Sequence, residues 1–241
     1  MTHTRTSPYA ERLTEALPRV RERIERAERA AGRDPGSVRL VAVTKSHSLD
    51  AVEAALAAGL TDFGENRVSE LEAKAQGCRS TPVTWHMIGH IQSRKARRVV
   101  AVADVVHSVD SVRLAEKLSR AASENDTVLS VLAQVNTSGE DSKAGFHLNE
   151  AEDEIQRMAE LPGLRVRGLM TMAPFVDDEV ILGDAFANLR LLSERLRQAT
   201  EVVGPELSMG MTNDLEVAIR EGSTMVRIGT ALFGPREGSA Q

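Results

Sequence analysis

The short run Arg39-Leu-Val-Ala-Val-Thr44 ends on a lysine, Lys45. A lysine placed where buried Leu40, Val41, Ala42 and Val43 stop loses hydration, and its pKa falls toward neutrality. The neutral amine attacks a carbonyl carbon and forms a Schiff base. The competing reading is a side chain that snorkels out and keeps its ammonium in water. A second cluster lies far along the chain, in Ser208-Met-Gly-Met-Thr-Asn-Asp214. Gly210 lets backbone approach a ligand closely, and Thr212 or Asn213 is a helix cap, so the amides that follow favour an anion. Gly229-Thr230 follows the next apolar run, Met225–Ile228. For either loop alone, ordinary turn and capping chemistry explains the residues. Arg227 lies inside that last run, where a guanidinium needs a partner. Glu65 is one candidate partner. A ring nitrogen that accepts from the arginine is the other.

These residues are spread over the chain, so the elements between them must bring them together. The first segment is an amphipathic helix with Leu13, Leu17, Val20, Ile24, Ala27 and Ala31 at spacings of three and four. Pro18 either kinks it or marks a later start near Leu17. Strand-like and helix-like runs then alternate. The strands are 39–44, 61–65, 84–89, 104–108, 127–136, 164–172, 206–209 and 225–228, and every one but the last leads into a helical pattern. This grammar predicts parallel βαβ units. Eight such units after one extra helix predict a (β/α)8 barrel. An open doubly wound sheet loses ground because no Gly-x-Gly-x-x-Gly follows the first strand. No linker divides the chain, so residues 1–241 read as one domain, with 1–36 as an N-terminal helix region and 235–241 as a flexible tail.

A barrel gathers its chemistry where the strands end. Lys45 then shares one mouth with Glu65, Asn66, Arg67, His90, Gln92, Ser93, Asn136, Thr137, Ser138 and Lys143. Thr171, Ser208, Gly210, Thr212, Asn213, Gly229 and Thr230 complete the ring. The loops after strands seven and eight of a barrel frequently hold a phosphate together. A phosphate cradle opposite an amine suits a phosphorylated aldehyde or ketone. Two ligand classes fit: pyridoxal phosphate as a cofactor, or a sugar phosphate held as a Schiff base in an aldolase.

Other features read as ordinary. Thirty Lys and Arg face 35 Asp and Glu, for a net charge of −5. That balance argues against a sequence-independent nucleic-acid binder. Arg94-Lys95-Ala96-Arg97-Arg98 reads as a solvated helix face. The single cysteine, Cys78, excludes an internal disulfide and a multi-cysteine metal site, and it suits a reducing compartment. No His/Asp/Glu spacing specifies a metal. No apolar run has membrane-span length, and residues 1–12 lack the apolar core of a secretory signal. The expectation is a cytoplasmic monomer. His86 and His107 read as hydrogen-bonded core histidines. Met170, Met172, Met209 and Met211 read as packing for the upper barrel.

The sequence resembles the pyridoxal phosphate homeostasis proteins, the YggS/PROSC family. The matching stretches are Leu40–Lys45, Phe63–Arg67, Trp85–His90, Val106–Asp110, Gly168–Met172, Leu207–Thr212 and Val226–Thr230. Seven in order, over about residues 38–234, are far more specific than any one. The resemblance implies a barrel like that of alanine racemase, with Lys45 holding pyridoxal 5′-phosphate as a Schiff base. It implies that Ser208, Met209, Gly210, Gly229 and Thr230 form the phosphate stretches. Arg227 then lies beside the ring nitrogen and Asn66 near the ring. The implied role is cofactor homeostasis and delivery to apo-enzymes, without established turnover. The alternative is an enzyme such as an amino-acid racemase, which commonly needs a second base on the opposite face. Tyr9, the only tyrosine, lies in the first helix and is a poor candidate. Lys143 and His90 remain as candidates.

Overall fold

The computed structural model describes residues 7–78, 81–140 and 144–235. Ser7 caps the first helix, α1 (Pro8–Ala30), by accepting the Tyr9 N–H, and Pro8 occupies the first turn, where no N–H is needed. The helix runs unbroken through Pro18 and does not start near Leu17. Its buried stripe is Leu13, Leu17, Val20, Ile24 and Ala27, and it packs on the last two helices. Glu28 is fully buried at its end, where its carboxylate accepts the N–H groups of Gly36 and Val38 at 3.0 and 2.7 Å. A buried carboxylate held by backbone donors fixes the turn into the barrel.

The strands are β1 (Arg39–Val43), β2 (Asp62–Glu65), β3 (Thr84–Met87), β4 (Val105–Val109), β5 (Leu129–Asn136), β7 (Leu164–Met170), β8 (Glu206–Ser208) and β9 (Met225–Ile228). A two-residue strand, β6 (Phe146–His147), pairs with the end of β5 and was not expected. The helices between them are α2 (Leu49–Ala57), α3 (Val68–Gly77), α4 (Ala96–Val100), α5 (Val112–Glu124), α6 (Ala151–Ala159), α7 (Glu179–Ala199) and α8 (Leu215–Arg220). A single 3-10 turn, Ser93–Lys95, leads into α4. The described chain closes with α9 (Thr230–Phe233), a turn of helix where only a tail was expected.

All pairings are parallel, in the order β4-β3-β2-β1-β9-β8-β7-β5, and β4 pairs with β5 to close the ring. This is the eight-stranded barrel that the alternation of elements predicts. Closure separates two apolar layers. Ala42, Phe63, Met87, Val106, Leu207, Val226 and Ile228 pack outward against the helices. Val41, Val43, Leu132, Met170 and Met225 are equally buried and stand apart from that layer, inside the barrel. A Cβ on Gly64 would lie 3.1–3.4 Å from Ile88, Val41 and Val43, so a side chain here would overfill the interior. Of the four methionines expected inside the upper barrel, only Met170 is there. Met209 packs in the outer layer, and Met172 and Met211 are exposed. The strand assignment explains the last two, because β7 stops at Met170 and β8 at Ser208.

Candidate functional site

Lys45 lies two residues beyond β1 and is half-buried. It continues the alternation that turns Val41 and Val43 inward. The peptide groups on both sides of it are tied to α3. Lys74 donates its Nζ to the Thr44 carbonyl at 2.7 Å, and Glu70 accepts the Ser46 N–H at 2.8 Å. Ser46 takes a left-handed φ of 62°, which turns the chain sharply after Lys45. Thr44 faces outward, and its hydroxyl donates to Glu65 Oε1 at 2.6 Å. The same oxygen accepts from Lys74 Nζ at 2.6 Å. Glu65 is therefore neither at the mouth nor paired with Arg227. It shares the outward parity of Phe63 and forms a buried ion pair with α3. Burial pushes its carboxyl above the usual range, and Lys74 and Thr44 partly offset this. Its Oε2 is buried without a hydrogen bond.

Arg227 lies inside the barrel on β9, level with Val41 of β1. Its Nη1 donates to Ser208 Oγ at 2.6 Å and its Nη2 to the Thr171 carbonyl at 2.9 Å. Burial pushes the guanidinium pKa down to about 10, against the charge of Asp214, so it stays cationic at neutral pH. Ser208 Oγ also meets His107 Nδ1 at 2.9 Å, His107 Nε2 meets His86 Nδ1 at 2.8 Å, and His86 Nε2 meets Asp62 Oδ1 at 3.1 Å. Both histidines are fully buried, as core histidines were expected to be. Burial, followed by the electrostatic influence of His86 and Arg227, holds the His107 pKa well below the usual imidazole range. Ser208 thus serves the interior through its hydroxyl.

Asn66 is half-buried after β2, and the chain at Gly89 passes so close that a Cβ would lie 2.2 Å from the Asn66 carbonyl. Gly210 has φ +96° and accepts the Arg227 N–H through its carbonyl. A Cβ there would lie 2.7 Å from Ala218 Cβ, so this glycine also lets α8 pack. Met209 does not join the group. Its N–H donates to the Met225 carbonyl, and its own carbonyl accepts from Ser223. Gly229 caps α9, and a Cβ on it would lie 3.1 Å from the Val43 carbonyl, so β9 and the end of β1 approach closely just where Thr230 begins the helix. Tyr9 is nearer the mouth than its place in the chain suggests. Its hydroxyl is 3.2 Å from Nδ1 of His47, two residues past Lys45, and its ring packs edge-on against Phe233. His90 pairs with Asp110 at 3.2 Å on the rim. In the basic cluster, Arg97 pairs with Glu124 and Arg98 with Glu72. Lys143 and all of the expected tail but Pro235 lie outside the described residues.

The family model for the N-terminal domain of alanine racemase matches residues 16–237. A pyridoxal phosphate homeostasis protein of Pseudomonas aeruginosa is 43% identical, with 93% of this chain and 96% of that one covered. The chain belongs to the pyridoxal phosphate homeostasis protein family. PipY of Synechococcus elongatus, solved with pyridoxal phosphate bound, is 38% identical and superposes with a TM-score of 0.78, covering 88% of this chain and 100% of PipY. Alanine racemase of Clostridium difficile, at 16% identity and a TM-score of 0.77, shares the fold over 95% of this chain and 58% of its own. No described helix of this family member is long and apolar enough to cross a membrane.

Reading the sequence missed the Thr44–Glu65–Lys74 cluster, although a signal was present. Val68, Leu71 and Lys74 recur at intervals of three on one face of α3, and all three are buried. A lysine on an apolar stripe demands a carboxylate. Glu65, at the same strand parity as Phe63, is the carboxylate that meets it.

Proposed function

We propose that this chain binds pyridoxal 5′-phosphate through the Lys45 amine and serves to hold and deliver the cofactor. The observation that carries this reading is the pairing of two unusual cations in one barrel. Lys45 is fixed at the mouth between two bonded peptide groups, and Arg227 is held inside on the neighbouring strand. The bound relative PipY supports the choice of ligand.

The residues present fit this group. The Lys45 nitrogen adds to the aldehyde carbon, and water leaves as the Schiff base forms. Each terminal nitrogen of Arg227 uses one N–H in the barrel wall and has a second to offer the ring. The missing Cβ at Gly229 lets β9 pass close to the end of β1 just before Thr230, whose N–H opens α9, and Gly210 lies in the neighbouring loop. Ser208 holds Arg227, and Asn66 lies at the edge. An arginine only donates, so a ring nitrogen facing it stays unprotonated and the ring withdraws electrons weakly. That favours storage over turnover. Tyr9 is engaged with His47 and Phe233 in the seam between α1 and α9, which weakens the racemase reading. Apo-enzymes that need the cofactor are the proposed recipients, met in the cytoplasm by a monomer.

The test is the absorption spectrum of the purified protein before and after borohydride, followed by peptide mapping. A chromophore trapped on Lys45, and lost in a folded Lys45→Ala variant, supports the reading. An equal adduct in Lys45→Ala would mean another lysine is the attachment point. A protein that stays colourless with added cofactor would favour the sugar-phosphate aldolase instead.

A further inference from the structure

Four hydrogen bonds join Arg227 to Asp62 through Ser208, His107 and His86. The two ends decide the direction of every link. Arg227 has only protons to give, and the Asp62 carboxylate only accepts. With both rings neutral, the one proton in the last link lies on His86 Nε2, which gives it to Asp62. Its Nδ1 must then accept, and the partner there is His107 Nε2. His107 therefore carries its proton on Nε2 and accepts at Nδ1. The one atom facing Nδ1 is Ser208 Oγ, which gives its proton and accepts from Arg227. A neutral pair of rings permits this single arrangement, in which each link has one proton. With the His107 proton on Nδ1 instead, His86 Nδ1 would need a proton too. A neutral His86 would then turn a bare nitrogen toward the Asp62 carboxylate.

We propose that His107 and His86 are positioning residues for Arg227, forming a one-way relay of donors that anchors the guanidinium to the floor of the barrel. Asp62 lies at the opposite end of the barrel from Lys45, on a cleft of about 300 Å³ between α1 and the starts of β1 and β2. There Thr61 donates to its other oxygen and Arg39 lies 3.8 Å away. The relay thus crosses the barrel from an open floor to the proposed cofactor site. By fixing the Ser208 lone pair, it fixes which N–H of Arg227 points into the wall and which is left for a ring nitrogen. The consequence for cofactor binding rests on the function proposed above, whereas the proton order does not.

Two measurements test it. The first is nitrogen NMR of histidine-labelled protein without cofactor. The expected result is both rings protonated on Nε2 and bare at Nδ1, and either ring carrying its proton on Nδ1 would overturn the relay. The second is cofactor titration, followed by absorbance, of His107→Leu and His107→Asn. Leucine removes the acceptor for Ser208, so affinity should fall about tenfold and the bound chromophore should shift. Asparagine places an amide oxygen near the old Nδ1, keeps the Ser208 link, and should recover most of that loss. A folded leucine variant with unchanged affinity and spectrum, or an asparagine variant no better than leucine, would refute the positioning role. If the wild-type protein takes up no cofactor, the proposed function fails, and the NMR result still decides the relay.

Discussion

Replacing Lys74 with methionine should destabilise the barrel by about 3–5 kcal/mol, the usual cost of removing one partner from a buried pair. Lys74 and Glu65 are only 7% and 0% exposed, so little water reaches either group once the pair is broken. The methionine keeps an aliphatic stem on the buried face that Lys74 shares with Leu71 and Val68, so the loss isolates the ammonium. Two acceptors lose this donor together: Glu65 Oε1 keeps only the Thr44 hydroxyl, and the Thr44 carbonyl keeps the His47 N–H. Glu65 already has one oxygen without a hydrogen bond, which leaves the Thr44 hydroxyl as its remaining donor. Urea unfolding at pH 7 is the assay. With a slope of about 3 kcal/mol/M for a chain of this size, the midpoint should fall by roughly 1–1.7 M. Adding Glu65→Leu to Lys74→Met should recover more than half of the loss, because no buried charge remains. The Thr44–Lys45 turn should stay looser in the double variant, since the carbonyl tie is gone. A single variant that loses less than about 1 kcal/mol, or a double variant as unstable as the single, would show that water enters the site and that the ion-pair argument is wrong.

Stability should also fall in mild acid because of His107. Its folded pKa lies below the ordinary 6.5, so below about pH 6.5 the unfolded chain takes up a proton that the folded chain refuses. The contribution is complete above that pH and is lost as pH falls, at up to about 1.4 kcal/mol per pH unit. His107→Asn should flatten the unfolding free energy between pH 6.5 and 5, and parallel curves for variant and wild type would contradict this. Gly168→Ala should be severely destabilising, by about 4 kcal/mol or more. Gly168 has φ +151°, and a Cβ would lie 1.9 Å from the Glu206 carbonyl oxygen on the paired strand. Soluble, fully folded Gly168→Ala protein of near wild-type melting temperature would mean that β7 and β8 can separate at little cost.

The barrel was legible because its signal is repetitive. Each short apolar run stops at a polar residue or glycine, and a helical pattern follows. Repetition also made the ends uncertain. Runs such as Thr84–Gly89 and Leu164–Met172 remain apolar past the last ladder bond, so the strands stop at Met87 and Met170. The exposed Met172 is the visible consequence. Lys45 and Arg227 stand out in the sequence for a different reason: a cation on an apolar run, or just past its end, is costly, and the cost marks the residue. Which partner meets that cation was not legible. Arg227 was offered Glu65 because both lie near strand ends, yet one residue of parity turns Glu65 out to α3 and leaves Arg227 inside with Ser208. Parity can be counted along a strand, but the stagger between strands appears only when β4 meets β5. That stagger brings His107 of β4 across the barrel to Ser208 of β8, residues 101 positions apart in the chain. The two levels of the site therefore have different origins. Local grammar places Lys45 and α3 side by side, so the ties on either side of the lysine form within the consecutive elements β1-α2-β2-α3. The anchoring of Arg227 waits for closure of the ring. A variant that folds its βα units but weakens closure should keep the Lys45 turn and lose the ordered guanidinium.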